Sequence, residues 1–234
     1  MALILSIETS EKICSVALSN NYDLLSTLEI SEEKSHASML TVLIKQLLAE
    51  KETDISMLDA VAISKGPGSY TGLRIGVSVA KGICYALDIP LISISTLKLL
   101  YLRLIYEGWL RKMELNDQNL LLCPLIDARR MEVYKVFFNI IGDQIGKIEA
   151  YIIHENSFNI ELQSNKIVFF GSGSEKCKSI VHNQNAYFLD NIKPNACFMV
   201  SYVYDLFVQK EFENYAYFEP FYLKDFVATV SRKK

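Results

Sequence analysis

The sequence is poor in residues that break or tie a chain, with 5 prolines, 10 glycines and 1 tryptophan among 234 residues. Its 3 histidines, His36, His154 and His182, stand far apart. A catalytic zinc takes three protein ligands and an open position. A metal-binding helix places a second histidine four residues after the first, and the residue at that distance from His36 is Leu40. No zinc or iron role is expected. There is no Gly-Lys-Ser/Thr, hence no Walker loop, and no Gly-x-Ser-x-Gly nucleophile elbow. The 5 cysteines (Cys14, Cys84, Cys123, Cys177, Cys197) are odd in number, scattered and without a Cys-x-x-Cys. They read as reduced, mostly buried thiols of a cytosolic protein. No apolar run approaches the ~18 residues of a membrane span. The start, Met1-Ala2-Leu3-Ile4-Leu5, lacks basic residues, and Glu8 interrupts it too early for a signal peptide. The net charge is −3, with no basic run before Arg232-Lys233-Lys234. That argues against a stand-alone nucleic-acid binder, though not against service in a complex that handles RNA.

What is present is ample apolar material, 50% of the chain, enough for one large domain or two small ones. The most informative stretch is residues 64–87. The run Ala60-Val61-Ala62-Ile63 leads into it as a buried strand. Gly66, Pro67 and Gly68 end that strand, because they license backbone angles that neither strand nor helix uses. Ser69 or Thr71 then caps a helix by accepting bonds from its free N–H groups. Gly72, Gly76, Ala80 and Cys84 recur every four residues, which aligns small side chains on one helix face. An interior glycine costs a helix about 1 kcal/mol relative to alanine, so another backbone is expected to come close. Either the chain's own sheet or another helix fits that need.

Strands are expected at 3–7, 13–18 and 24–30, forming a β-meander whose polar tip is Glu8-Thr9-Ser10. Such tips hold phosphate in several ATPase folds through backbone N–H and hydroxyl groups. A helix follows at 35–50. Its Met39, Leu40, Val42, Leu43, Ile44, Leu47 and Leu48 cover more than the stripe of an ordinary surface helix, which suggests burial on two sides. A strand at 91–94 and a helix at 97–115, capped by Ser95 or Thr96, complete a first unit. Right-handed crossovers make its first, fourth and fifth strands parallel. After a polar break at 116–119 the pattern recurs, with strands at 120–126, 132–140 and 147–153. A strand at 166–170 then ends in Gly171-Ser172-Gly173-Ser174, before a short helix at 175–181 and a strand at 187–189. Asn195 caps a last helix at 196–212, and an aromatic tail, Phe218-Glu219-Pro220-Phe221-Tyr222-Leu223-Lys224-Asp225, is expected to pack back on the body. Two halves, each a meander followed by helices, point to a duplicated ribonuclease-H-like α/β fold. The expected division is 1–104 and 105–212, with 213–234 returning to the first unit.

Several segments resemble one family. Leu3-Ile4-Leu5-Ser6-Ile7-Glu8-Thr9-Ser10 is similar to its first strand and loop, with Glu8 where Asp is commoner. Ser35-His36-Ala37 resembles the start of its first helix. Lys65-Gly66-Pro67-Gly68-Ser69-Tyr70-Thr71-Gly72-Leu73-Arg74-Ile75-Gly76 is its signature. Ser95-Thr96-Leu97, Asp127-Ala128-Arg129-Arg130-Met131-Glu132-Val133-Tyr134 and Pro220-Phe221-Tyr222-Leu223 are further matches, in the right order over nearly the whole chain. On these residues the chain resembles the TsaB (YeaZ) family of the glycoprotease-like (Gcp) superfamily, partner proteins in tRNA threonylcarbamoyladenosine synthesis. The resemblance implies an actin/hexokinase-type ATPase fold. It also implies a non-catalytic, cytoplasmic subunit that dimerises with the threonylcarbamoyltransferase TsaD through two helices. Such a subunit supports recruitment of the ATPase TsaE, meets tRNA only through the complex, and forms homodimers through the same surface. Partner-facing residues would be His36, Met39, Leu40, Leu43, Leu47, Gly72, Leu73, Arg74, Gly76, Ala80 and Ile83. Arg74 would bond partner backbone or a nucleotide phosphate. No cofactor is expected on this chain alone, with ATP or ADP entering in the assembled complex.

The competing possibility is an ATP-binding enzyme of the actin/sugar-kinase type. Its nucleotide loops would be Glu8, Thr9 and Ser10 on one side and Asp127, Gly171 and Gly173 on the other, with the carboxylates holding Mg²⁺. A metallopeptidase, which the glycoprotease-like label suggests, lacks its ligands. A purely structural homodimer is the remaining alternative.

Overall fold

The structure, a computed structural model, describes residues 1–31, 36–115 and 119–224, and of His36 the backbone only. The expected helix start at Ser35, most of the polar break at 116–119, the tail from Asp225 and the basic end Arg232-Lys233-Lys234 lie outside the described residues.

Strands β1 (Leu3–Glu8), β2 (Cys14–Asn20), β3 (Asp23–Ile30), β4 (Ala60–Gly66) and β5 (Leu91–Ser95) form one sheet in the order β3-β2-β1-β4-β5. β1 runs antiparallel to β2, with Ser6 opposite Ala17, and parallel to β4, with Leu5 beside Val61. β5 joins β4 in parallel, Leu91 beside Val61. The first, fourth and fifth strands are thus parallel, as right-handed crossovers require. A second sheet repeats the plan with β6 (Leu120–Asp127), β7 (Glu132–Phe138), β8 (Gln144–Ile152), β9 (Lys166–Phe170) and β10 (Ala186–Leu189), in the order β10-β9-β6-β7-β8. The meander β6-β7-β8 is antiparallel, and β9 and β10 are parallel to β6 and to each other. Two mixed ribonuclease-H-like sheets flanked by helices make the actin/hexokinase-type α/β architecture.

Side chains alternate across each strand, and the central strands of both sheets are buried on both faces, while the edge strands β3 and β8 are largely exposed. Helices α1 (His36–Glu50) and α2 (Tyr70–Leu87) bury Leu40, Leu43, Leu47, Val77 and Ala80 on Leu5, Ile7, Val16 and Leu18. The other face of that sheet, with Ile4, Ala62 and Ile92, receives Leu99 of α3 (Thr96–Tyr106) and Val203 and Leu206 of α7 (Val200–Gln209). α3 also buries Leu97, Leu100 and Leu104 on Leu122, Val136 and Phe170 of the second sheet. The far face of the second sheet is covered by α5 (Asn159–Ser164) and α6 (Ser174–Lys178), through Leu162 and Cys177. α3 is therefore a wedge between the sheets, apolar on both sides. The expected boundary near residue 104 falls inside this helix, and α7, counted with the second unit in the sequence, packs on the first sheet.

The continuous helix expected at 97–115 is broken. Gly108 takes a left-handed φ of 66°, which separates α3 from the short α4 (Trp109–Lys112). The last helix opens with a 3-10 turn, Ala196–Met199, capped by the Asn195 side chain, which accepts from the Cys197 N–H at 3.0 Å. All five cysteines are free. Burial pushes the thiols of Cys14, Cys84 and Cys197 up to about 11 and that of Cys177 up to about 12, which keeps them unreactive. Among the described residues no helix is long and apolar enough to cross a membrane.

Candidate functional site

The entry to α2 is the centre of the molecule's polar chemistry. Ser69 caps the helix, its hydroxyl accepting from the Gly72 N–H at 3.3 Å. The Ser69 N–H donates to the Ser10 carbonyl at 2.6 Å, which joins the helix start to the β1–β2 turn. A Cβ on Gly68 would stand 2.3 Å from the Ser10 carbonyl oxygen, and one on Gly72 2.1 Å from that of Thr9. A Cβ on Gly76 would meet the Thr9 hydroxyl at 2.2 Å. The close approach that the spacing demanded is therefore made by the chain's own turn.

This corrects the expectation for the small-residue stripe. Gly72, Gly76 and Ala80 face inward, as do Leu40, Leu43, Leu47 and Leu73, all buried in the core of the first unit. Of the residues expected on the docking face, Met39 and Ile83 are half-buried and Arg74 is exposed, while the His36 side chain lies outside the described residues.

The turn itself is closed. Glu8, Thr9 and Ser10 are buried. Glu8 Oε1 accepts from the Ser10 N–H at 2.5 Å. Glu8 Oε2, Thr9 Oγ1, Ser10 Oγ and the neighbouring Ser64 Oγ have no hydrogen-bond partner among the described residues. Burial raises the Glu8 pKa, with the hydrogen bond from the Ser10 N–H opposing. The start of α2 packs directly on this turn. On the second unit, Gly171 has φ 98° and a Cβ there would stand 2.3 Å from the Leu125 carbonyl oxygen. A Cβ on Gly173 would meet Val133 Cγ1 at 2.7 Å. Both glycines sit close against β6 and β7.

Asp127, the remaining residue expected in a nucleotide loop, is exposed. Its Oδ1 accepts from the Arg129 N–H and from Lys176 Nζ, both at 2.6 Å. Here the two units meet. The Ser172 hydroxyl donates to Glu11 and accepts from the Asp127 N–H at 3.0 Å. Burial, aided by the charges of Glu8 and Asp127, pushes the Glu11 pKa up to about 7 against the hydrogen bond from Ser172 and the charge of Lys193. Neither Glu11 nor Lys176 stands out in the sequence, because a charged residue in a polar turn reads as solvated. Among the described residues no cluster of three His, Cys, Asp or Glu is arranged to hold a metal.

On the outer surface, an apolar groove of about 430 Å³ runs between α1 and α2. Ile44, Leu48, Val79 and Ile83 form its floor, with Lys45 and Asp54 at the rim. Residues 213–224 pass along α2 as a strap. Lys81 Nζ donates to the carbonyls of Ala216 (3.2 Å) and Phe218 (3.0 Å), and the Phe221 N–H donates to the Lys65 carbonyl at 2.7 Å. Arg74 lies 4.2 Å over the Tyr70 ring and donates through Nε to the Tyr222 hydroxyl at 3.2 Å. Among the described residues its partners are two tyrosines, one on α2 and one on the strap.

Comparison with known proteins matches this fold and these motifs. The model of the family described as "TsaD: tRNA N6-adenosine threonylcarbamoyltransferase" matches residues 24–230. The chain is 35% identical over 132 residues to a tRNA threonylcarbamoyladenosine biosynthesis protein TsaB of Buchnera aphidicola, covering 56% of this chain and 55% of that one. Against the TsaB of Escherichia coli it is 34% identical over 131 residues, covering 56% and 52%. These two matches span about half the length of each relative, whereas the TsaB of Haemophilus influenzae, 27% identical, matches over 95% of this chain and 93% of its own. The solved structure of YeaZ from Pseudomonas aeruginosa superposes with a TM-score of 0.80 at 24% identity, over 95% of this chain and all of that one, which is a likeness of fold. With the family model spanning most of its length and TsaB proteins aligned along it, the chain belongs to the TsaB (YeaZ) family.

Proposed function

We propose that this chain is a non-catalytic subunit of the machinery that makes threonylcarbamoyladenosine in tRNA, docked on the threonylcarbamoyltransferase TsaD along the groove between α1 and α2. The observation that carries this reading is the groove itself. Ile44, Leu48, Val79 and Ile83 line an open channel between two long helices of an otherwise well-covered core. Such a channel suits a partner's helices in ridge-and-groove packing. The names of the relatives supply the partner's chemistry. In this reading the complex recruits TsaE, ATP or ADP enters only there, and tRNA is met through the partner. A second copy of the chain occupies the same face when the partner is absent. The closed turn at Thr9 and Ser10 supports a supporting rather than a catalytic role.

The test is reconstitution with TsaD, TsaE and substrate tRNA, with and without this chain. Modification should fall strongly without it. Ile83→Glu and Val79→Glu should abolish co-purification with TsaD while the variant keeps its melting temperature. Unchanged modification without the chain, or wild-type affinity in both variants, overturns the proposal.

A further inference from the structure

Away from the α1–α2 groove, a cavity of about 640 Å³ opens where both sheets contribute walls. It lies at the C-terminal ends of the parallel strands β4 and β5, where Lys65, Ser93 and Ser95 stand. Crevices outside the carboxyl ends of parallel strands are where α/β sheets take ligands. Phe138 and Ile148 of the second sheet and Tyr202 and Leu206 of α7 supply an apolar wall.

The two polar ends of the cavity differ. At one, a carboxylate of the chain is already seated, since the Ser93 hydroxyl donates to Glu213 and Lys65 Nζ lies 3.5 Å from the same oxygen. At the other end stands Lys98, in the first turn of α3, the end of the helix whose dipole favours negative charge. Its Nζ gives one of three donors to the Gly142 carbonyl at 2.8 Å. It lies 4.7, 5.2 and 5.3 Å from the ring centres of Tyr101, Phe138 and Tyr202. Among the described residues no carboxylate is within ion-pair distance of it. Burial lowers its pKa, with the charge of Asp143 opposing. A desolvated ammonium on a cavity wall with unspent donors is poised for an anion.

We propose that this cavity is a binding site for a small organic anion with a flat body. Its carboxylate or phosphate lies on Lys98, and its body lies between Phe138, Ile148 and Tyr202. Glu213 on Lys65 and Ser93 shows the same pairing made within the chain. The proposal is independent of the docking reading.

The test is NMR titration of the whole chain with phenyl phosphate, benzoate and the neutral benzyl alcohol. Millimolar binding is expected for at least one of the two anions, the stronger of them identifying the head group, and for either it should weaken at least tenfold in Lys98→Gln. Benzyl alcohol should bind at least tenfold more weakly. Should Lys98→Gln fail to fold, the wild-type chain is reductively methylated, and the anion should shift the Lys98 signal while leaving that of exposed Lys51, outside the cavity, in place. Equal binding of the neutral and charged probes, no binding by either anion, or an unmoved Lys98 signal overturns the proposal.

Discussion

The Ser172 hydroxyl donates a hydrogen bond to Glu11 across the junction of the two units, in a place where each unit ends a strand in a polar turn. Glu11 is held there with its pKa carried from the ordinary 4.5 up to about 7 by burial. The folded chain therefore binds this proton more tightly than the unfolded chain. Stability from this group is fully present below pH ~4.5, declines as pH rises, and is lost above pH ~7, with a ceiling of about 3 kcal/mol. Glu8, also raised by burial, adds to the same slope. Denaturant unfolding at several pH values between these limits should show the decline in the native chain and a shallower one in Glu11→Gln. Equal slopes in the two chains would refute the assignment.

Gly72 and Gly82 lie in the same helix and predict opposite outcomes. A Cβ on Gly72 would overlap the Thr9 carbonyl oxygen at 2.1 Å, and that oxygen is backbone in a buried turn. Gly72→Ala should cost about 3 kcal/mol or more, if the chain folds at all. A Cβ on Gly82 meets nothing within 4 Å. Gly82→Ala should stabilise by up to about 1 kcal/mol through helix propensity and a less free unfolded chain. Thermal melts of the two single variants decide it, and a Gly72→Ala chain as stable as the native one would sink the packing account.

These two glycines also show what the sequence could and could not convey. A stripe of small residues every four positions announces that a backbone comes close, and it does. Whether that backbone is the chain's own turn or a partner helix leaves the same spacing, so the stripe alone does not choose between them. The sheets were legible because alternation and apolar runs, as in Leu3-Ile4-Leu5, report burial directly, and crossover handedness then sets strand order. Burial of Leu40, Leu43 and Leu47 was legible too, but not which side buried them. Glu11 was invisible, because nothing local distinguishes a solvated glutamate from one pressed against a second unit 161 residues away at Ser172. The break at Gly108 depends on a left-handed φ that one glycine permits without requiring.

The two sides of α1 and α2 can be separated by mutation. Leu43 is 6% exposed and packs in the core beneath the first sheet. Leu43→Ala should cost about 2–5 kcal/mol of stability and weaken association only as far as the fold is lost. Ile83→Glu should do the reverse, with a melting temperature close to native and no complex. Measuring melting and partner binding on the same preparations tests this. A Leu43→Ala chain that is fully stable yet unable to bind would restore the inner face as the docking surface.

Phe218 anchors the strap on α2. It is 8% exposed and packs in the core that α1 and α2 share with the first sheet, while Lys81 holds its carbonyl. The polar ties of Arg74 and Tyr222 lie at the surface, where water competes for each donor and screens the charge. Burial of an aromatic ring outweighs them, so Phe218→Ala should cost about 3–5 kcal/mol, and Arg74→Ala should leave the melting temperature nearly unchanged. The strap has neighbours mainly along α2 and β5, so much of the loss should appear as local opening. Limited proteolysis should cut Phe218→Ala within residues 213–224 at least tenfold faster than the native chain, with the rest of the molecule intact. Arg74→Ala should be cut at close to the native rate. If Arg74→Ala is cut as fast as Phe218→Ala, the polar contacts hold the strap and the ring does not.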